Sequence, residues 1–406
     1  MNVTDGLLDP LARLVASGRN EPPKSTPTSD ICYNFVRKFN RIKGRVALPS
    51  DKTDDPNNSM KAALVTGVTG QDGSYLAEFL LEKDYTVYGL ARYCSERKHE
   101  RIEHLKTNSE FHLVEGDLTD TARMNSIVNS LEQYDLIEVY NLGAQSHVKH
   151  SFSQPEYTAN VDALGTLRIL EAIRQTNFSS KFRFYQAGTS EMFGKVQEPI
   201  QNENTPFYPR SPYGVSKVYG YWITKNYRES YDMFACTGIL FNHESERRGA
   251  EFVTRKITLG LAEWKKTGKV IELGNMDAKR DWGHAQDYVE AMWLMLQPAT
   301  PQDFVVATGQ THSIREFIEI ACNELGIKIH WSGEGVDEVC SELATGSPIV
   351  KVNPEFYRPA EVDVLIGDAR KAQDVLGWVP KIDFEELVKR MVRHDCNGAD
   401  MAVHRA

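Results

Sequence analysis

The sequence predicts an α/β fold: a doubly wound parallel sheet covered by helices on both faces, followed by a smaller C-terminal lobe. Two observations carry this prediction. Short apolar, β-branched runs alternate with helical stretches between Lys61 and Asn242, and the first run passes straight into a glycine-rich turn. The strand-like runs are 62–66, 86–90, 111–114, 136–142, 182–187 and 236–241. The helical stretches are 74–82, 155–174 and 213–231, each read as one continuous helix. Beyond Asn242 the alternation fades into loops and isolated elements, where the smaller lobe is expected, with one strand and one helix returning to the main sheet.

The 406 residues have room for such an arrangement. Hydrophobic residues at 41% and charged residues at 25% are globular values, which excludes a fibrous or wholly disordered chain. The formal charge of −9 argues against general binding to nucleic acid, so an anionic ligand needs a local cluster of Arg and Lys. Six cysteines without a C-x-x-C pair suit reduced thiols in a cytoplasmic protein better than a disulfide framework or a zinc site, and no metal is expected. No apolar run approaches the roughly 20 residues that span a bilayer, so no membrane partner is expected. Residues 1–60 are polar and Pro-rich around a short amphipathic stretch with Ile31, Phe35, Phe39 and Ile42. They read as a flexible appendage. The expected organisation is then 61–241 for a dinucleotide-binding domain, 242–395 mainly for a substrate-binding lobe, and 396–406 for a tail.

The glycine turn is Gly67-Val68-Thr69-Gly70-Gln71-Asp72-Gly73. Glycines let backbone approach a pyrophosphate whose charge sits at the following helix N-terminus, so the turn marks a Rossmann-like dinucleotide site. The second strand ends in Ala91-Arg92-Tyr93 where an acidic residue would favour NAD. A guanidinium complements a 2′-phosphate, so Arg92 points to NADP. A second cluster is Tyr213-Gly214-Val215-Ser216-Lys217, with the tyrosine and lysine four apart on one helix face. The ammonium is expected to lower the phenol pKa and ready Tyr213 as a base. The preceding strand ends in Ala187-Gly188-Thr189-Ser190-Glu191. Thr189 completes a Thr/Tyr/Lys hydride-transfer set, and Glu191 can remove a proton next to a carbonyl.

The spacing of the glycine turn resembles the short-chain dehydrogenase/reductase superfamily. Tyr140-Asn141-Leu142-Gly143-Ala144-Gln145-Ser146-His147-Val148, Thr205-Pro206-Phe207-Tyr208-Pro209-Arg210-Ser211, Phe241-Asn242-His243-Glu244-Ser245, Arg280-Asp281-Trp282-Gly283-His284 and Tyr357-Arg358-Pro359 narrow this further. With the Thr-Ser-Glu triplet they resemble the GDP-mannose 4,6-dehydratase family, over about residues 61–395. The resemblance implies that Tyr213, Thr189 and Lys217 oxidise C4 of GDP-mannose while Glu191 takes the C5 proton and water leaves from C6. It implies cofactor contacts from Gly67, Gly70, Gln71, Asp72, Gly73, Arg92, Ser95, Asp117 and Leu118. Leu142, Gly143, Ala144, Gln145, Ser146, Tyr157, Tyr213, Lys217, His243 and Arg248 complete that set. For the GDP moiety it implies Asn242, Lys256, Arg280, Arg358 and Glu361.

Two departures from the family pattern stand out. Glu246 occupies a position where the family usually carries proline, and the loop from Tyr93 to Glu100 is charged where the family has a Ser-rich, Phe-containing segment. Family members form homodimers or homotetramers, and the charged loop is expected to weaken the tetramer contact. Two other readings stand beside the main one: a dehydratase of another GDP-sugar such as GDP-manno-heptose, and a non-catalytic NADP-sensing scaffold.

Overall fold

The computed structural model describes residues 59–93, 99–356 and 365–403, with side chains to residue 396. The stretch around Ile31–Ile42, Ser95, Arg358 and Glu361 therefore lie outside the described residues. Seven strands form the main sheet: β1 (Lys61–Thr66), β2 (Thr86–Ala91), β3 (Phe111–Glu115), β4 (Leu136–Asn141), β5 (Phe182–Ala187), β6 (Ala235–Leu240) and β11 (Phe304–Val306). Their spatial order is β11-β6-β5-β4-β1-β2-β3, and every pair is parallel. This is why the central strands read as unbroken apolar runs: Ala62 to Thr66 are buried, with helices on both sides of the sheet.

Helix α1 (Gln71–Leu81) packs with α6 (Ala285–Leu294) on one face, in a core containing Leu76, Leu80, Tyr140, Tyr288 and Met292. Helices α2 (Thr121–Asn129) and α3 (Leu164–Arg174) cover the other face, around Leu64, Ile127, Ile137, Ile169 and Phe184. The Asp120 side chain caps α2 by accepting from Arg123 N–H at 3.0 Å. Ser211 does the same for α4 (Pro212–Tyr231), accepting from Gly214 N–H at 3.0 Å, with Pro212 in the first turn.

One expected helix differs. The 155–174 stretch is not continuous: a short helix Pro155–Thr158 leads into a π-helical turn Ala159–Ala163 before α3 begins. The apolar pattern continues across the wider turn, so periodicity alone does not reveal it. The turn leaves Asp162 buried at 2% exposure, with its carboxylate accepting from Gln145 N–H at 2.7 Å.

Beyond β6 the chain builds smaller units. Strand β7 (Asn242–Glu244) pairs in parallel with β10 (Trp282–His284). Strand β9 (Lys279–Arg280) pairs with β12 (His312–Ser313). A four-stranded sheet joins β8 (Ile271–Leu273) to β13 (Ile329–Ser332), β14 (Val339–Glu342) and β15 (Pro348–Val352). It packs with α5 (Val253–Thr267), α7 (Ile314–Glu324) and α8 (Phe384–Val403) around Trp282, Phe317 and Phe384. No described helix is long and apolar enough to cross a membrane.

Candidate active site

Where the strand order reverses between β1 and β4, the loops beyond the strand ends frame a cleft of about 630 Å³. The glycine turn forms its floor. Gly67 has φ +69°, and a Cβ there would meet Gly143 Cα and N at 2.9 Å. A Cβ on Gly73 would meet Gly67 O at 2.4 Å and Val68 Cα at 2.7 Å. Only glycine fits, so bare backbone and the N-terminus of α1 face the cleft. Gly143 is tied back to β1 by donating its N–H to Thr66 Oγ1 at 2.9 Å.

All the described residues expected at a dinucleotide line this cleft. They include Gly67, Gly70, Gln71, Asp72, Gly73, Arg92, Asp117, Leu118, Leu142, Gly143, Ala144, Gln145, Ser146, Tyr157, His243 and Arg248. Several engage one another. Arg92 Nη1 donates to the Tyr157 hydroxyl, bringing the end of β2 to the segment before the π-turn. Asp72 and His243 pair at 2.8 Å, with His243 stacked on Tyr288. Burial alone would depress His243, but the Asp72 carboxylate outweighs it and raises the imidazole pKa. Burial likewise favours the neutral form of Asp72, but His243 above all holds its pKa below the ordinary value. Gln71 donates to His243 O at 3.0 Å and accepts from the Ser245 hydroxyl at 2.8 Å, tying the turn to the segment after β7.

On the β5 side, Thr189, Glu191, Tyr213 and Lys217 line the same cleft. Thr189 Oγ1 accepts from Glu191 N–H at 3.2 Å, which leaves its own proton for the Tyr213 phenol. Lys217 is 3% exposed, and its ammonium donates to Ala187 O at 3.0 Å and lies 5.8 Å from the Tyr213 ring centre. Burial lowers the Lys217 pKa, and Asp162 opposes that shift. The expected lowering of the Tyr213 phenol is not what prevails. Burial, then the charge of Asp162, push it above its ordinary value, against the hydrogen bond from Thr189.

Of the residues expected at GDP, Asn242 lines the cleft and Lys256 and Arg280 do not. The Lys256 ammonium lies 4.0 Å over the Phe356 ring. Arg280 Nη1 donates to Lys279 O at 2.7 Å in β9. Three residues were not foreseen. Arg101 and Arg247 line the cleft, and Arg101 donates to both Thr69 O and Arg247 O, at 3.2 and 2.8 Å. Asp162 lies behind it. Only the doubled arginine at 247–248 was a visible signal; the other two depend on contacts made across the fold.

A parallel sheet with a glycine turn at its switch point, and a Thr/Tyr/Lys set in the same cleft, defines a Rossmann-fold protein of the short-chain dehydrogenase/reductase type. Solved structures with this fold include the dTDP-glucose 4,6-dehydratase of Streptomyces venezuelae, determined with NAD bound. It has a TM-score of 0.70 and 20% identity, over 84% of this chain and 98% of that one. The UDP-glucose 4-epimerase of Thermotoga maritima gives a TM-score of 0.69 and 22% identity, over 83% and 99% of the two chains. Residues 64–391 match the family model described as GDP-mannose 4,6 dehydratase. The GDP-mannose 4,6 dehydratase of Drosophila melanogaster is 57% identical over 342 residues, 82% of this chain and 86% of that protein. The Homo sapiens protein of the same name is 54% identical over 340 residues, 82% and 91% of the two chains. The chain belongs to the GDP-mannose 4,6-dehydratase family.

Proposed function

We propose that the protein converts GDP-mannose to GDP-4-dehydro-6-deoxy-mannose and water, with NADP as its cofactor. The observation that carries this reading is the meeting of Thr189, Glu191, Tyr213 and Lys217 in the cleft that also holds the glycine turn. Relatives at 57% and 54% identity carrying the name GDP-mannose 4,6 dehydratase support the substrate. The site fits a dinucleotide because Gly67 and Gly73 leave no room for a side chain where backbone must approach a pyrophosphate. Bound NADP supplies a hydride acceptor that returns the C4 hydride to C6, so none is consumed.

Within this reading, Tyr213 as phenolate takes the C4 hydroxyl proton, its charge held beforehand by a hydrogen bond from Thr189. Lys217 orients the nicotinamide ribose and keeps positive charge near the phenol. Glu191 removes the C5 proton once C4 is a ketone and passes it to the C6 hydroxyl, which leaves as water, and the proton held by Tyr213 returns to C5. Arg92 and Tyr157 meet the 2′-phosphate end. His243 and Arg248 would contact the cofactor, while Asn242, Lys256, Arg280, Arg358 and Glu361 would hold the GDP. Residues 61–241 then carry the dinucleotide and 242–395 mainly the sugar nucleotide. Buried thiols at Cys236, Cys322 and Cys340 accord with a cytoplasmic setting.

Incubation with a panel of GDP- and UDP-sugars, supplied with NADP or NAD, tests the reading through product masses. Loss of one water from GDP-mannose with NADP is expected. Glu191→Gln should still bind both ligands by calorimetry and yield no dehydrated product. Preference for another GDP-sugar, or for NAD, would overturn the corresponding part.

A further inference from the structure

The segment from Ser245 to Gly249 places Arg247, Arg248 and Gly249 in the cleft, yet Glu246 within it does not line it. Its side chain turns behind the cleft wall. Glu246 Oε2 accepts from the Tyr75 hydroxyl of α1 at 3.0 Å and stands 3.5 Å from His284 Nε2 at the end of β10. His284 is 1% exposed, and its Nδ1 accepts from Gln286 N–H at 3.1 Å to cap α6. That bond leaves the ring proton on Nε2, which faces the Glu246 carboxylate at 3.5 Å without completing a hydrogen bond to it. The backbone of Glu246 is engaged as well, its carbonyl accepting from Arg255, which pairs with buried Asp395 at 2.7 Å.

Tyr75 links this arrangement to the cleft. Its hydroxyl serves Glu246, and its ring face carries the Arg247 guanidinium at 3.9 Å. Arg247 also donates to Ser74 Oγ at 3.0 Å and pairs with Glu78 at 2.8 Å, both on α1. Its carbonyl accepts from Arg101, which reaches the glycine turn at Thr69 O. Burial would push the Glu246 carboxyl up, but the groups around it, His284 first, bring it down to about 2, so Glu246 is a carboxylate throughout the neutral range.

We propose that Glu246 is a positioning residue for dinucleotide binding: its carboxylate, held by Tyr75 and His284, fixes the segment that presents Arg247 and Arg248 beside the glycine turn. The inference rests on the reading of this cleft as a dinucleotide site. Losing the carboxylate takes the acceptor from the Tyr75 hydroxyl and the facing anion from His284, and frees the segment to move, so cationic side chains near the phosphates lose their preorganisation.

The test uses the full chain and measures NADP affinity by calorimetry, separately from turnover. Glu246→Ala should weaken NADP binding roughly tenfold, the scale of one lost buried polar interaction, while kcat at saturation changes less than about twofold. Glu246→Gln retains an accepting oxygen and should lose less, and Tyr75→Phe should move affinity in the same direction. The double variant Tyr75→Phe with Glu246→Ala should bind no more weakly than Glu246→Ala alone, since the two groups act as one unit. Unchanged NADP affinity in Glu246→Ala, or equal losses in kcat and affinity, overturns the proposal, whatever happens to the melting temperature. If Glu246→Ala fails to fold, Glu246→Gln and Tyr75→Phe decide by the same criterion. Failure of the unmutated protein to process GDP-mannose while the affinity losses persist would sink the substrate assignment and leave this inference standing. No NADP binding by the unmutated protein would sink both.

Discussion

Asp162 has one carboxylate oxygen accepting from Gln145 N–H and the other without a hydrogen-bond partner among the described residues. Burial raises its pKa to about 6, against the opposing pull of Lys217. A carboxyl with a raised folded-state pKa holds its proton more tightly folded than unfolded, so its contribution is most favourable at low pH. That contribution is lost as pH rises through the ordinary carboxylate range towards 6. Asp162→Asn keeps an oxygen for Gln145 and removes the buried charge. It should therefore stabilise the protein near neutral pH, by up to about 3 kcal/mol, and by clearly less near pH 4–5. Urea unfolding at several pH values checks this, and an increment independent of pH would refute the assignment. A stabilised variant with slower turnover would show that Asp162 is retained for its influence on Lys217 and Tyr213. At this scale Thr189, Glu191, Tyr213 and Lys217 were legible because reactive residue types recur at a fixed spacing. Asp162 was not, because an aspartate in a helical pattern carries no mark of its burial.

Elements differ in how much of their geometry spacing can convey. The glycine turn was readable because steric necessity selects the residue: a side chain at Gly73 has to displace backbone atoms of Gly67 and Val68. Gly73→Ala should destabilise the protein by about 1–3 kcal/mol and abolish dinucleotide binding. Gly220 makes a useful contrast. It lies within α4, and an added Cβ would make only an ordinary contact at 3.4 Å with Gln186. Gly220→Ala should be neutral or stabilise by up to about 1 kcal/mol, through helix propensity. Denaturant midpoints of the two variants test the pair, and equal effects would contradict the steric argument. The π-turn at Ala159–Ala163 went unseen for the opposite reason: one extra residue in a turn leaves the apolar pattern on either side intact.

For the whole molecule, the outward face of α4 sets the expectation. Val215, Tyr219 and Trp222, at helical spacing, are 55%, 37% and 53% exposed. Leu164 at the start of α3 is 41% exposed, and Phe152 is 59% exposed. A row of large apolar side chains on an outer helix face suits a second copy of the chain, as the resemblance implies. The protein is expected to be a dimer at micromolar concentration by light scattering, and Trp222→Asp should shift it towards monomer without weakening NADP binding. A monomeric unmutated protein would remove this assembly.

By itself the sequence determined the alternation of strands and helices up to Asn242, the glycine turn, and the Thr/Tyr/Lys set with its glutamate. Each is a local pattern in which residue type or spacing follows directly from backbone sterics or reaction chemistry. Tertiary structure decided which charges meet. It paired Asp72 with His243, set Arg101 beside Arg247, brought Glu246 to Tyr75 and His284, and buried Asp162 behind the cleft. It also kept Lys256 and Arg280 off the cleft lining. The physical reason is that an ionic contact depends on where two distant segments are carried by the packed sheet and helices, and on how much water their burial excludes. Neither quantity is written in the spacing of residues along the chain.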